Sequence, residues 1–451
     1  MYINKIKNQF FGLDNEQWNY FKNSIDSNSQ EFRDFQEKLR RFVCYHNRNL
    51  YKVARKRFKK NITFQLENIL EILIKKTDKT KLNDHLMLNF SIDTSLLNAS
   101  LYCLEALKKV DSQKINDLTQ KIFKYKKELY PLLKAEYERE NLNQKSYTND
   151  FFSSFNIEEV YKLSDVNHQA VTILSPSRFS LYSLTVIALC CKFNIPIKSI
   201  IIKKFSIRRF NNEFKRDGFK LLKKIYRKLI LKSDENSDKI SVSFNELSYK
   251  LTGGFSDITK IAKVRNIPFL FVDEFENSTN YLSKNKTNIA LFTGGGIIGK
   301  NFLENFKFGI INIHMGLLPF YKGMDVVESP LSEGRYDCVG LTSHMMDKTI
   351  DTGPIISFYK ISPFEYKTIG ALRNEIALIM PFILIDSYFN FFQNNQTLKS
   401  QVDLGRQYYF LHDDLKKIAN KVLFDNYKFS GSTRINNFIY KIMNNKKLNF
   451  Q

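Results

Sequence analysis

Apolar residues along this chain change their spacing near position 168. Before it they recur at three- and four-residue intervals, as in Phe32, Phe35, Leu39, Phe42 and Val43, or in Leu66, Ile69, Leu70 and Leu73. That spacing lines one face of a helix, so helices are expected from Leu13 to about Leu163, with loops at 77–84 and 141–149 where polar residues interrupt the period. After His168 short β-branched runs alternate with helical stretches. The runs fall at 171–174, 197–202, 269–272, 289–292 and 310–313. Alternation of this kind predicts an α/β domain with a mostly parallel sheet and helices on its faces. Two further strands are expected at 339–345 and 355–361, then a long helix at 368–392. The last stretch holds one more helix, around 413–422, and a polar end. The resulting division is a helical domain at 1–165, an α/β domain at 166–395 and a short C-terminal extension at 396–451. In such sheets ligands sit beyond the carboxyl ends of the strands, which directs attention to loops starting near Ser175, Thr293 and Asn312.

Composition narrows the class. At 451 residues, with 43% hydrophobic and 14% aromatic residues, the chain has apolar material for more than one packed core. Its five cysteines, Cys44, Cys103, Cys190, Cys191 and Cys338, are scattered and form no C-x-x-C pair. They argue against a disulfide framework or a zinc site and suit a reducing cytoplasm. The chain opens Met1-Tyr2-Ile3-Asn4-Lys5 with no apolar run behind it, so no signal peptide is expected. The apolar stretch at 376–392 approaches bilayer length but contains Pro381, Asp386 and Asn390, which predicts a buried helix and no transmembrane segment. A net charge of +23 raises polyanions as partners. Lys, Asn, Ile and Phe are abundant together, however, as in AT-rich coding sequences, so part of the charge reflects composition.

One glycine loop, Gly294-Gly295-Gly296-Ile297-Ile298-Gly299-Lys300, fits two templates at once. It satisfies G-x-G-x-x-G for dinucleotides and G-x-x-x-x-G-K for phosphates. The phosphate loop lacks its magnesium-binding Ser or Thr, since Asn301 follows. The dinucleotide reading lacks the acidic residue expected at the end of the next strand, where Asn312 and His314 stand. A tight turn that needs glycine is the plain structural alternative.

The richest chemistry lies just beyond. The chain runs Asn312-Ile313-His314-Met315-Gly316-Leu317-Leu318-Pro319, then Gly323, then Gly340-Leu341-Thr342-Ser343-His344, and then Asp351-Thr352-Gly353-Pro354-Ile355. Strand alternation places Asn312 and His314 on one face. An amide and an imidazole side by side can stabilise the oxygen that gathers negative charge during acyl transfer to an amine, and one such donor is worth roughly 3 to 4 kcal/mol of barrier. His314 can also take the proton that the amine loses, directly or through water, with Asp351 fixing its tautomer and charge.

The series N-x-H-x-x-L-L-P-x-x-x-G, G-x-T-x-H and D-x-G-x-I over 311–355 resembles the catalytic region of the 10-formyltetrahydrofolate-dependent formyltransferases, which act on methionyl-tRNA, glycinamide ribonucleotide and amino sugars. Weaker agreement extends the resemblance to 171–361. The resemblance implies a formyltransferase-type Rossmann-like sheet and a catalytic set of Asn312, His314 and Asp351, with His344 as an accessory histidine. It implies that the donor, 10-formyltetrahydrofolate, lies against Gly296, Ile297 and Ile298 and against His344, Met345, Met346, Asp347 and Thr349. Acceptor contacts are expected at Ser175, Lys322, Gly323 and Asp325, and no metal is implied. Two features depart from the pattern. Gly316 stands where the tRNA enzymes usually have Ser, and Met324-Asp325 follows Gly323 where small residues are common. Asp325 either meets a cationic amine or caps the helix after it.

The tRNA enzymes carry a further β-rich domain, which the helical tail at 400–451 does not supply, so the expected acceptor is a small amine such as an amino sugar. Hydrolysis of the same donor is the enzymatic alternative. A non-catalytic polyanion-binding protein on a degenerate formyltransferase fold is the alternative of another class. Residues 203–232 hold twelve Lys or Arg against two acidic residues, with Phe210, Phe214, Leu221, Leu222, Ile225 and Leu229 at helical spacing. They read first as a surface helix and second as a site for an anionic membrane or phosphorylated ligand. The run Arg55-Lys56-Arg57-Phe58-Lys59-Lys60 reads as a solvated helix face, and nucleic acid is disfavoured as a partner. The helical first third suggests docking or oligomer formation.

Overall fold

The computed structural model describes residues 168–204, 242–294 and 296–393, and in the C-terminal part 398, 400–401, 406–408, 411, 413–428 and 432–445. The expected helical domain at 1–165 and nearly all of the basic stretch at 203–232 lie outside the described residues. The described parts of 146–331, 336–407 and 419–451 fall into one compact unit, while 332–335 and 408–418 group separately. Every residue of the site discussed below lies in the first of these.

The elements follow the order β1 (Val171–Ser175), α1 (Leu181–Lys192), β2 (Ile197–Lys203), α2 (Phe244–Thr252), α3 (Ile258–Val264), β3 (Phe269–Val272), α4 (Thr279–Lys284), β4 (Ile289–Phe292), α5 (Lys300–Leu303) and β5 (Gly309–His314). Then come β6 (Tyr321–Gly323), α6 (Glu328–Glu333), β7 (Gly340–Met345), β8 (Ile355–Lys360), α7 (Ile369–Gln393), α8 (Asp413–Asn426) and α9 (Arg434–Asn444). The expected strands and the long helix match within a residue or two, because β-branched runs and helical periods were both clean there.

Seven strands form one sheet in the order β3-β2-β1-β4-β5-β7-β8. The first five are parallel, and β7 and β8 join antiparallel. The chain leaves β1 toward β3 and returns to place β4 on the other side of β1. The reversal opens a crevice at the carboxyl ends of β1 and β4, where ligands bind in doubly wound sheets. Strand alternation divides the core. Ile173, Ile200, Ile202, Leu291 and Ile311 face a cluster shared with α1 and α7. Leu174, Ile201, Ala290, Phe292 and Ile310 face a second cluster with Phe275, Phe302 and Phe306.

Helix α7 is apolar on nearly every side because it runs through the first cluster, with Leu372, Ile376, Ile379, Phe382, Ile383 and Tyr388 buried. Among the described residues it is the one helix long and apolar enough to cross a membrane, and 67% of its apolar window is buried in the fold. The polar end expected after residue 422 is instead partly helix α9, whose Ile435, Phe438, Ile439 and Ile442 sit at helical spacing and are buried. Burial of each contributes roughly 2 kcal/mol. Phe438 meets Phe382 of α7 with ring centroids 5.5 Å apart. Asn- and Lys-rich intervening positions mask this stripe in the sequence.

Candidate active site

Strand β5 delivers Asn312 and His314 to the carboxyl edge of the sheet, and antiparallel β7 brings His344 directly opposite Asn312. That pairing exists only because β7 reverses direction. The Asn312 amide donates from Nδ2 to His344 Nε2 at 3.1 Å. His344 Nδ1 lies 2.9 Å from the Met345 carbonyl oxygen, which can only accept. The imidazole therefore carries its proton on Nδ1 and offers a lone pair on Nε2. Burial pulls the His344 pKa down to about 4, against the attraction of Asp351 and with the help of nearby His314. His344 is thus neutral near pH 7 and holds the amide of Asn312 in one orientation.

His314 is buried, with Nδ1 3.3 Å from Asp351 Oδ2. Its Nε2 lies 2.6 Å from the Tyr321 carbonyl oxygen. An acceptor faces each nitrogen, so both N–H groups of an imidazolium would be satisfied here. Asp351 itself takes a hydrogen bond from the Gly323 amide at 2.8 Å, and its other oxygen lies 3.7 Å from His344 Nε2. It adopts φ 56°, a left-handed conformation that non-glycine residues seldom take. The loop that carries it is forced tight at Gly353, where an added Cβ would fall 1.9 Å from the Met345 carbonyl oxygen. The two rings of His314 and His344 stand nearly perpendicular, 6.4 Å apart. The structure thus brings together Asn312, His314, His344, Asp351 and Gly323, which are far apart in sequence.

The glycine loop takes the turn its composition suggests, with Gly294 at φ 109° and Gly296 at φ 101°. The Gly299 amide donates to Glu276 Oε1 at 2.8 Å. A carboxylate thus occupies the helix N-terminus where a phosphate loop would hold its anion. Ile297 is 76% exposed, while Ile298 is buried in the cluster against which Met346 packs. Met345 is buried at the end of β7 and hydrogen-bonds the Pro354 carbonyl through its amide. Asp347 Oδ1 accepts from the Lys348 amide, and Thr349 and Thr352 pair through their hydroxyls.

Acceptor candidates divide. Ser175 is fully buried, with its hydroxyl bonded to the Ser177 carbonyl and to Ser183, so it braces the β1 loop. Lys322 is also buried. Gly323 lies at the site through its amide. Asp325 pairs its carboxylate with Arg373, which also makes a bidentate contact with Glu328 at 2.7 and 2.5 Å. Two contributors escaped the sequence reading. The Tyr321 carbonyl acts through main chain, which no residue identity announces, and Gln401 Nε2 reaches the carbonyls of Asp351 and Gly353 from a polar stretch without periodicity.

The domain is thus doubly wound α/β, with an amide, two imidazoles and a carboxylate gathered at the sheet edge. Residues 273–386 match the formyl transferase family model. A methionyl-tRNA formyltransferase from Wigglesworthia glossinidia brevipalpis is 33% identical over 129 residues, 28% of this chain and 40% of that protein. A phosphoribosylglycinamide formyltransferase from Bacillus subtilis (strain 168) is 36% identical over 88 residues, 20% of this chain and 45% of that one. The chain therefore spans less than half the length of either relative. The crystal structure of phosphoribosylglycinamide formyltransferase from Bacillus halodurans superposes with a TM-score of 0.34 at 16% identity, covering 51% of this chain and 97% of that one.

Proposed function

We propose that the α/β domain at 166–395 transfers a formyl group from 10-formyltetrahydrofolate to a primary amine on a small metabolite, with an amino sugar as the favoured acceptor class. The observation that carries this reading is the paired contact set Asn312–His344 and His314–Asp351. One amide N–H of Asn312 is spent on His344, which leaves the second to donate to the formyl oxygen as negative charge gathers there. The Tyr321 carbonyl occupies Nε2 of His314. Proton traffic therefore runs on the Nδ1 side, through the His314–Asp351 pair, and not through both ring nitrogens. In the balanced reaction the acceptor nitrogen gains the formyl carbon and loses one proton, and the nitrogen that releases that carbon gains one.

The residues fit the donor. Gly296 has nothing within 4 Å of where a side chain would begin, and exposed Ile297 follows it. Met346 packs partly buried against the cluster that holds the adjacent Ile298, and such apolar side chains suit a flat heterocycle. The donor supplies the formyl group already activated on nitrogen. Asp325, the carboxylate expected to meet a cationic amine, is paired with Arg373.

The test is turnover of 10-formyltetrahydrofolate by the purified chain with a panel of amino sugars and nucleotide-linked amino sugars, following both formylated amine and free formate. Formylated product lost in His314→Ala, with the fold intact, is the expected result. Wild-type rates in that variant discard the mechanism, and formate alone in every reaction identifies a hydrolase.

A further inference from the structure

Two main-chain carbonyls of the loop carrying Asp351 are held by one side chain from outside the formyl transferase match. Gln401 Nε2 lies 3.0 Å from the Asp351 carbonyl oxygen and 2.7 Å from that of Gly353. Both hydrogens of the amide are thereby used, one on each side of Thr352. Gln401 stands fifteen positions beyond residue 386, where the family match ends, and in a stretch with no strand or helix period.

We propose that Gln401 is a positioning residue for the reaction: it clamps the 351–353 turn so that the Asp351 carboxylate stays against His314. This rests on the formyl-transfer reading above. The physical need is plain from the backbone. Asp351 sits at φ 56°, a conformation that is costly for a non-glycine residue and persists only where the surroundings enforce it. The Gly323 amide fixes the carboxylate from one side at 2.8 Å. Gln401 fixes the same residue's main chain from the other. With both in place the carboxylate reaches Nδ1 of His314 at 3.3 Å. The titratable groups facing it are His314 and His344. With the clamp gone, the residue is free to relax toward ordinary backbone angles and swing its carboxylate off the ring. Displacements of about 1 Å in such groups cost up to roughly a hundredfold in rate.

The experiment compares wild type with Gln401→Met, which keeps length and removes both donors, and with Asp351→Asn. The readouts are kcat and KM for 10-formyltetrahydrofolate, and the pH titration of the His314 ring followed by NMR. In Gln401→Met, kcat is expected to fall ten- to a hundredfold with KM within twofold. The His314 midpoint is expected to move in the same direction as in Asp351→Asn, by part of that distance. Gln401→Met with unchanged kcat and an unchanged His314 titration overturns the proposal. Should that variant not fold, Gln401→Asn withdraws the amide by one methylene, and the same two readouts decide. A wild type without turnover sinks the functional reading, yet the His314 titration still decides whether Gln401 holds Asp351.

Discussion

His344 offers the sharpest quantitative test, because one buried ring links the stability of the domain to the orientation of Asn312. It is 1% exposed, donates from Nδ1 to the Met345 carbonyl and accepts at Nε2 from Asn312. Its pKa, about 4 in the fold, lies below the roughly 6.5 of a free imidazole. Between these values the unfolded chain takes up a proton that the folded chain declines. Stability therefore falls as pH drops from about 6.5 to 4, by about 3 kcal/mol for this group, and no part of that loss is present above pH 7. His344→Ala abolishes this titration, so the variant's unfolding free energy should decline less than that of wild type over the same pH window. At pH 7 the variant loses two hydrogen bonds and leaves a cavity, a cost of about 3 kcal/mol. The Asn312 amide, no longer held, should cost transfer about a hundredfold in kcat, the range seen for losing one oxyanion donor. Urea unfolding of both proteins at pH 4.5 and 7.5, with formyl-transfer rates at pH 7.5, measures all three quantities. A variant that retains the full acid slope of wild type, or that transfers within threefold of its rate, refutes the assigned tautomer and the link to Asn312.

Asp386 carries the opposite pH signature. Burial pushes its pKa up to about 6, against hydrogen bonds from Tyr359 and Asn390, so the stability this group allows at low pH is lost as pH rises through 6. Asp386→Asn should stabilise the domain by about 3 kcal/mol at pH 8 and by almost nothing at pH 4, read from thermal or urea unfolding, and equal effects at both pH values refute the assignment. Gly353→Ala should destabilise by roughly 3 kcal/mol and reduce transfer more than it reduces donor binding, because the new methyl meets the Met345 carbonyl and shifts the Asp351 loop. A crystal structure of the variant with an unmoved loop contradicts it.

Much of the α/β domain could be read from residue order, since its strands are β-branched runs and its long helix is apolar throughout. Strands at 269–272 and 289–292 match the expected bounds, and the others differ by a residue or two. Helix α9 was hidden because its buried stripe, Ile435, Phe438, Ile439 and Ile442, is diluted by Asn and Lys between. Asn312, His314 and Asp351 stood out because their side-chain chemistry is written in residue identity and spacing. The antiparallel turn of β7 and β8 was not legible, since periodicity along a strand is the same in either direction.

By itself the sequence determined which polar side chains are available for chemistry, where the main sheet strands and the long helix α7 lie, and which of their positions are apolar enough to be core. Only the tertiary structure decided that His344 faces Asn312, that a carbonyl occupies one nitrogen of His314, that Ser175 is walled in, and that Gln401 holds the Asp351 turn. The reason is physical. Periodicity and side-chain chemistry are local properties of the chain, whereas these four contacts depend on strand direction, main-chain carbonyls and burial, which arise when distant segments pack.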